Sequence, residues 1–249
     1  VNGSQLSDVE LAASLARDAG QLLLGLRDAP NGPTGKELGR EGDRRSNDLL
    51  LDRLGAERPG DAVLSEEAVD DKSRLRSERV WIIDPLDGTR EYGMSGRTDW
   101  AVHVALWTSG VGIGAAAVAQ PARGEVYSSA DSRPARSVPA APLRVVVSDS
   151  RPPAFVKKLR KRLGAQIIPM GSAGAKAMAV LRGDADAYVH AGGQWEWDSA
   201  APVGVALSAG LHCSRIDGSP LRYNADHPYL PDLIICDPRV AETILRVVA

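Results

Sequence analysis

The segment Trp81-Ile82-Ile83-Asp84-Pro85-Leu86-Asp87-Gly88-Thr89-Arg90-Glu91-Tyr92 constrains this chain more than any other. The bulky apolar run over residues 80–83 suits a buried strand, and Pro85 and Gly88 are expected to stop it from continuing as ladder or helix. Asp84 and Asp87 therefore fall at a strand end, close to the hydroxyl of Thr89. Carboxylates so near each other repel unless a cation lies between them, and hard oxygen donors of this kind suit Mg²⁺ better than zinc. Taken alone, the same residues also read as a polar turn, because Asp followed by Pro or Gly is ordinary turn chemistry.

Two further segments favour the metal reading. Ser65-Glu66-Glu67 follows the apolar run Ala62-Val63-Leu64, and Trp197-Asp198-Ser199-Ala200-Ala201-Pro202 lies far downstream. Each places an acid where an apolar segment meets a loop or a helix start. In this order the three segments resemble the signatures Glu-Glu, Asp-Pro-Leu/Ile-Asp-Gly-Thr and Trp-Asp. These mark the lithium-sensitive, magnesium-dependent phosphomonoesterase superfamily, which includes inositol monophosphatases, fructose-1,6-bisphosphatases and 3'-phosphoadenosine-5'-phosphate phosphatases. The resemblance spans nearly the whole chain. It implies an α/β layered sandwich (α-β-α-β-α) with the metal site between the halves, two or three Mg²⁺ ions per site, inhibition by Li⁺ and a homodimer.

With 249 residues, the chain can bury a substantial core as one large domain or two smaller ones. The 30 basic and 32 acidic residues nearly cancel, so there is no overall basic field for nucleic acid. No apolar run approaches bilayer length. The expected partner is thus a small phosphorylated substrate, with no nucleic acid and no membrane. Cys213 and Cys236 lack zinc-like spacing and read as buried thiols. Val1-Asn2-Gly3-Ser4 has no charged and then apolar leader, and a cytoplasmic setting is expected.

Apolar spacing predicts a helix over residues 8–27, capped by Ser7 or Asp8. Residues 28–42, rich in Gly, Pro and alternating charge, are expected to form a mobile loop. A second helix is expected from Asp43 or Arg44 to Leu54, with strands at 62–64, 100–107, 111–119 and 125–128. This describes an N-terminal half, residues 1–140, of two helices on a largely antiparallel sheet. The Pro/Ala/Ser/Arg-rich stretch 132–142 marks the boundary. The C-terminal half, 141–249, reads as a mixed α/β sheet: strand 143–147, helix 152–163, strand 166–169, helix 173–181, strand 185–190 and helix 198–209. Gly110, Gly112 and Gly114 lack the strand and helix of a dinucleotide fingerprint, and are read as sites of close backbone approach. The basic run Lys157-Lys158-Leu159-Arg160-Lys161-Arg162 is read as the wet face of a helix whose dry face carries Phe155, Val156, Leu159 and Leu163.

The resemblance also implies residue roles. Glu66, Asp84 and the Leu86 carbonyl would hold one ion, and Asp84, Asp87 and Asp198 a second. Two such ions, roughly 3.5–4 Å apart, would clamp the attacking water and the leaving oxygen. Thr89, together with Glu66, would activate that water, while Gly88 and Thr89 would offer backbone N–H groups to the phosphate. Asp43 is the candidate for the acid that supports water activation or a third ion, against the competing reading of a helix N-cap. The family's Ser-Pro-Val-Thr stretch before that acid is replaced by Lys36-Glu37-Leu38-Gly39-Arg40-Glu41-Gly42.

Three features bear on the substrate. Gly88-Thr89-Arg90-Glu91-Tyr92 resembles the Gly-Thr-Lys/Arg-Glu-Phe/Tyr form of the nucleotide phosphatases. Ala191 stands where inositol enzymes carry a Glu, which leaves inositol hydroxyls poorly paired unless Glu196 substitutes. In Gly171-Ser172-Ala173-Gly174-Ala175-Lys176, Ser172 and Lys176 resemble a substrate-binding segment in which Lys176 meets a second phosphate; the alternative is a solvated lysine. Asp87, Gly88, Thr89, Arg90, Ser172, Lys176 and Asp198 form the expected substrate-binding set. His103, His190, His212 and His227 are given no catalytic role.

The resemblance lies nearest the CysQ-type 3'-phosphoadenosine-5'-phosphate phosphatases of sulfur assimilation, implying release of the 3'-phosphate to leave AMP, with the sulfated nucleotide PAPS as a further substrate. The rival readings are an inositol-1-phosphate or fructose-1,6-bisphosphate phosphatase with the same metal site, and a non-catalytic relative that binds a metal or phosphorylated ligand.

Overall fold

Helix α1 (Asp8–Arg27) forms as its apolar spacing predicts, and Ser7 and Glu10 close a reciprocal capping box at its start. The structure is a computed structural model, and it describes residues 6–131 and 139–248. Most of the expected boundary at 132–142 and the expected leaderless start, Val1 to Ser4, lie outside the described residues.

The expected loop over 28–42 is corrected. Helix α2 runs Gly35–Glu57, starting eight residues before Asp43. Its buried stripe is Leu38, Gly39, Gly42, Asp43, Ser46, Asn47, Leu50 and Leu54, which has helical spacing but too few apolar side chains to register as amphipathic. The glycines let α2 come close to the acidic motif. A Cβ on Gly39 would lie 2.7 Å from Thr89 Cγ2, and one on Gly42 would lie 2.8 Å from Tyr92 Cε1.

The first sheet contains β1 (Ala62–Ser65), β2 (Arg79–Asp87), β3 (Ala101–Thr108), β4 (Gly112–Gln120) and β5 (Glu125–Ser128), in that spatial order. β1 and β2 are parallel, and the remaining pairs are antiparallel. A second correction concerns β2, which does not stop at Ile83 but continues through Pro85 to Asp87. Its pairing shifts between Asp84, opposite His103, and Asp87, opposite Ala101. This bulge is where a strand can hold a proline that has no ladder N–H to give. The one-turn helix α3 (Thr89–Tyr92) follows.

The second sheet has the order β7-β6-β8-β10-β9. Its strands are β6 (Arg144–Ser148), β7 (Gln166–Met170), β8 (Ala187–Trp195), β9 (His212–Ser214) and β10 (Tyr229–Cys236). The helices of this half are α4 (Val156–Leu163), α5 (Ala173–Arg182), α6 (Glu196–Ser208) and α7 (Pro238–Val248). Helix α4 starts later than residue 152 because Pro152 and Pro153 hold the chain out of helical register. Its basic side chains are exposed and Leu159 is buried, as expected of a wet and a dry face. Beyond residue 209, where the sequence suggested no elements, the chain forms β9, β10 and α7.

Alternate strand residues bury on opposite faces, which produces five layers. Trp81 and Ile83 of β2 pack with α1 and α2, while Val80 and Ile82 join Ala177, Met178, Ala200 and Ala201 of α5 and α6. The same central cluster takes in Val146, Tyr188 and Ile235 of the second sheet, so one core joins the two halves. Val145, Val189 and Ile234 face α4 and α7 on the far side. The layered α/β sandwich is therefore present. Gly110 and Gly112 adopt φ of +73° and +93° in the β3–β4 turn, and no atom lies within 4 Å of a Cβ built at either or at Gly114. The close-approach reading of these three glycines is corrected to turn geometry at the first two. Among the described residues no helix is long and apolar enough to cross a membrane.

The packing of α2 gives a direct test. Gly42→Val forces a branched side chain against Tyr92, Leu23 and Leu86, and should cost about 1–3 kcal/mol in urea unfolding. Gly25→Ala, on α1 with nothing within 4 Å of its Cβ, should instead stabilise by up to about 1 kcal/mol.

Candidate metal centre and active site

Strand register brings the acids together. Ser65 pairs with Ile83 in the parallel β1–β2 ladder, so Glu66 and Asp84 follow side by side. The bulge in β2 then brings Asp84 and Asp87 towards one pocket, and Asp198, in the first turn of α6, enters from the central layer. Carboxylate oxygens of Asp84, Asp87 and Asp198 all lie within 4.8 Å of one another. Glu66 is exposed as a residue, yet its carboxyl group lies among Asp84, Asp198 and Asp43.

The pocket treats these acids unequally. Burial, reinforced by Asp198 and Asp43, pushes Glu66 up to about 8. Burial together with the charges of Glu66, Asp87 and Asp198 raises Asp84 well above the usual carboxylate range. Burial and Asp87 raise Asp198 to about 6, against a 2.6 Å hydrogen bond from the Trp195 N–H. Asp87 goes the other way. Burial would raise it, but His103, Lys176 and Ser172 outweigh that and bring it down to about 2.

The supports of Asp87 explain several expected site residues. Ser172 Oγ donates to Asp87 at 2.5 Å and the Gly174 N–H at 2.7 Å. Ser172 sits at φ +34°, an uncommon conformation for a residue with a side chain. Lys176 is buried, and its Nζ donates to the carbonyls of Gly171 and Ser172, each at 2.7 Å. The solvated alternative for Lys176 is thereby corrected, and its hydrogen bonds hold the segment that holds Asp87. His103, which the sequence reading passed over, is fully buried on β3 with Nε2 3.2 Å from Asp87 Oδ2. The only signal for it was its place on the strand face shared with Ala101 and Ala105.

Thr89 is held from two sides. Its hydroxyl lies 3.3 Å from Asp43 Oδ1 and 3.2 Å from the Leu86 carbonyl. Asp43 is no N-cap, since that position belongs to Thr34, more than two turns earlier. Burial, then the charge of Glu67, pushes Asp43 up to about 7 despite the Thr89 bond. Two further contacts pin α2 to the motif: Ser46 Oγ donates to the Pro85 carbonyl and Ser65 Oγ to Asn47 Oδ1, both at 2.7 Å. Neither residue was singled out from the sequence, because a Ser or Asn in a polar helix carries no distinguishing pattern.

Gly88 takes φ +90° at the turn into α3, with Trp100 Cα 3.3 Å from where a Cβ would stand. Arg90 is tied to Glu91 at 2.5 Å and to Asp149 at 2.6 Å. Glu196 is corrected as a substitute for the missing acid at Ala191. It is buried, and its carboxylate accepts the N–H groups of Asn224 and Ala225 at 2.7 and 2.9 Å. A cavity of about 250 Å³ opens over Asp87, Thr89 and Asp198 and continues to Ser150, His190 and Gln194. The converging groups offer oxygen donors, and they are buried closely enough to need neutralising, which fits a hard divalent cation.

A layered α/β sandwich with an all-oxygen acidic cage at the junction of its layers defines a metal-site phosphatase fold. The chain belongs to the inositol monophosphatase family, whose profile matches residues 6–248. A protein of Mycobacterium leprae (strain TN) named 3'-phosphoadenosine 5'-phosphate phosphatase is 55% identical over 256 residues, covering 98% of this chain and 94% of its own length. One of the same name from Mycobacterium tuberculosis (strain CDC 1551 / Oshkosh) is 58% identical over 239 residues, 93% of this chain and 90% of its own. Among solved structures, inositol monophosphatase II from Staphylococcus aureus MSSA476 superposes with a TM-score of 0.80 at 18% identity, over 94% of this chain and 92% of its own. An inositol monophosphatase from Zymomonas mobilis gives 0.78 at 22% identity, over 99% of each chain. These two likenesses establish the fold.

The raised acids set a pH dependence. Glu66, Asp43 and Asp198, at about 8, 7 and 6, bind protons in the folded chain that the unfolded chain has released. Their contribution to stability is full below pH ~4 and lost as pH rises through those values. Thermal melts of chelator-treated protein should therefore show a falling Tm from pH 5 to pH 8, with Mg²⁺ restoring more at pH 8 than at pH 5. A Mg²⁺ increment independent of pH would contradict the mutual repulsion described here.

Proposed function

We propose that this chain is a Mg²⁺-dependent phosphomonoesterase that hydrolyses 3'-phosphoadenosine 5'-phosphate at the 3'-phosphate, giving AMP and phosphate, and accepts PAPS in the same way. The observation that carries the reading is the convergence of Asp84, Asp87 and Asp198 beside Glu66 and the Thr89–Asp43 pair. The substrate is supported by the names of relatives 55–58% identical to this chain.

Glu66, Asp84 and the Leu86 carbonyl would hold one ion, Asp84, Asp87 and Asp198 a second, with Asp43 beside a third position. Bound divalent cations would reverse the sign of the pocket for a dianionic ester, polarise its oxygens and acidify a bound water. The protein's own part begins with Thr89. Because its hydroxyl donates to Asp43, its lone pairs are left to accept a hydrogen bond from the attacking water and so orient it. Asp43, at about 7, has the affinity suited to a general base near neutral pH. This revises the expected Thr89–Glu66 pair, leaving Glu66 as the neighbouring acid. As the water oxygen bonds to phosphorus, its proton passes through the Thr89 hydroxyl to Asp43 while the bond to the 3'-oxygen breaks, and that oxygen takes a proton from a second water to become the ribose hydroxyl. Gly88 and Thr89 present backbone N–H groups to the phosphate.

The site disfavours inositol as substrate. Ala191 offers no acceptor and Glu196 is fully engaged, so ring hydroxyls would go unpaired. Next in the chain to Gln194 of the cavity wall, Trp195 is 38% exposed, stacks on Trp197 and meets His227 and Tyr229 edge-on, an aromatic cluster that could take a base. Competition by Li⁺ for a metal position, a homodimer and a cytoplasmic setting complete the proposal.

Initial rates on 3'-phosphoadenosine 5'-phosphate, inositol 1-phosphate and fructose 1,6-bisphosphate, with and without Li⁺, provide the test. The nucleotide should lead in kcat/KM by at least about 100-fold and lose its turnover in Li⁺; preference for inositol phosphate would overturn the assignment. Asp84→Asn and Asp198→Asn should each abolish detectable turnover with the circular dichroism spectrum intact. Thr89→Ala should lower kcat by about 10²–10⁴-fold while shifting the Mg²⁺ midpoint far less.

A further inference from the structure

Glu66 differs from the other acids of the cage in what carries it. Asp84 and Asp87 lie on β2 and Asp198 on α6, whereas Glu66 follows the end of β1 on a segment, residues 66–69, that is exposed throughout and reaches 97% at Val69. Burial of that segment therefore does not fix where its carboxyl group stands. A buried cation that the hydrolytic step does not use fastens it instead.

Arg74, in the single helical turn Ser73–Arg76, is 1% exposed. It grips Asp70 through Nε at 3.1 Å and Nη2 at 2.8 Å, which closes the loop on itself. It also crosses to the loop between β9 and β10, donating from Nη1 to Asn224 Oδ1 at 2.6 Å and from Nη2 to the Ala225 carbonyl at 2.9 Å. Lys72, more exposed, repeats the crossing, with Nζ 3.1 Å from Asp70 and bonded to the Asp226 carbonyl. The N–H groups of Asn224 and Ala225 are the ones that Glu196 accepts, and the Glu196 N–H donates to the Pro228 carbonyl at 2.9 Å. Glu196 opens α6, two residues before Asp198. A chain of hydrogen bonds thus runs from the loop that presents Glu66, through Arg74, the 224–225 turn and Glu196, to the helix turn that presents Asp198. A buried guanidinium is tolerated only where its donors are met, and its planar fork fixes the orientation of what it bonds.

We propose that Arg74 is a positioning residue for the metal centre, latching the Glu66 loop to the first turn of α6 so that Glu66 stands in place before a divalent cation arrives. The inference rests on the metal-centre reading above and adds to it a residue that touches neither ion nor substrate. Without the latch the loop has to be ordered when the ion binds, and the entropy of that ordering weakens Mg²⁺ affinity. Thr89, Asp43 and Asp87 are held by contacts that do not involve Arg74. Turnover at saturating Mg²⁺ therefore survives its loss.

The test titrates Mg²⁺ into chelator-treated, substrate-free protein, following tryptophan fluorescence, to which Trp197 beside Asp198 contributes. Initial rates on 3'-phosphoadenosine 5'-phosphate are then measured across the same Mg²⁺ range. Arg74→Ala should raise the Mg²⁺ midpoint by about 10- to 100-fold, with kcat at saturating Mg²⁺ within about threefold of wild type. Arg74→Lys keeps the charge beside Asp70 but lacks the fork that spans both loops, and should fall between wild type and Arg74→Ala. Asn224 holds φ +63°, so Asn224→Gly keeps the turn and its N–H while removing one acceptor of Arg74. It should raise the midpoint by about fivefold, and it decides the matter alone if Arg74→Ala does not fold. Arg144→Ala serves as the control: it breaks a 3.0 Å pair with the buried Asp186 in the second sheet, and should lower Tm while leaving the midpoint unchanged. An unchanged midpoint in Asn224→Gly, or a shift in Arg144→Ala as large as that in Arg74→Ala, would overturn the latch and leave the metal centre standing. A wild-type protein with no response to Mg²⁺ in either readout would remove the metal-centre reading itself.

Discussion

Mutual repulsion among buried carboxylates is the constraint around which this molecule is organised. Asp84, Asp87 and Asp198 meet within 4.8 Å, with Glu66 alongside, and they come from the end of one strand, a neighbouring loop and the first turn of a helix in the next layer. No local interaction would draw such groups together. The fold does so through apolar burial elsewhere: Val80 and Ile82 on one side of the junction and Ala200 and Ala201 on the other share one core. The site is thus held by packing that pays no attention to its charge. The electrostatic cost is then partitioned, with Asp87 kept ionised by His103, Lys176 and Ser172 and its neighbours driven towards protonation.

Close approach of α2 is the second structural requirement. Thr89 can reach Asp43 because glycines at positions 39 and 42 remove the side chains that would hold the helix away. Ser46 and Asn47 then fix the approach by bonding to Pro85 and Ser65 on either side of the acids. A helix whose buried stripe is made of Gly, Asp, Ser and Asn sacrifices apolar burial for position. Without that approach the Thr89 hydroxyl would lose its Asp43 partner.

The parts of this design that were readable in the sequence follow from how each is encoded. The acids were legible because Glu66, Asp84, Asp87 and Asp198 sit in short contiguous motifs, and α1 because Leu11, Leu15, Ala19 and Leu23 repeat at helical period. The start of α2 was not, since Gly39 and Gly42 signal breakage to any reading based on local propensity, and only their contacts with Thr89 and Tyr92 explain them. The continuation of β2 through Pro85 was hidden for a similar reason: a bulge is set by the partner strand, here His103 and Ala101 of β3. His103 itself lies in an apolar run, and only this register relates it to the acids. Between Gly210 and Cys236 the chain alternates turns with short strands, and the pairing of β10 with β8, more than thirty residues upstream, is a non-local fact.

The setting of Lys176 shows what burial adds to residue type. A lysine four residues after the Gly171-Ser172 pair, in the wall of the acidic cavity, invites assignment to the ligand. Burial changes its role: a buried ammonium must have its hydrogen bonds met within the protein, and here the carbonyls of Gly171 and Ser172 meet them. Those bonds hold the turn in which Ser172 adopts its positive φ and reaches Asp87. The lysine is therefore built into the support of a single carboxylate, where it also supplies charge that keeps that carboxylate ionised.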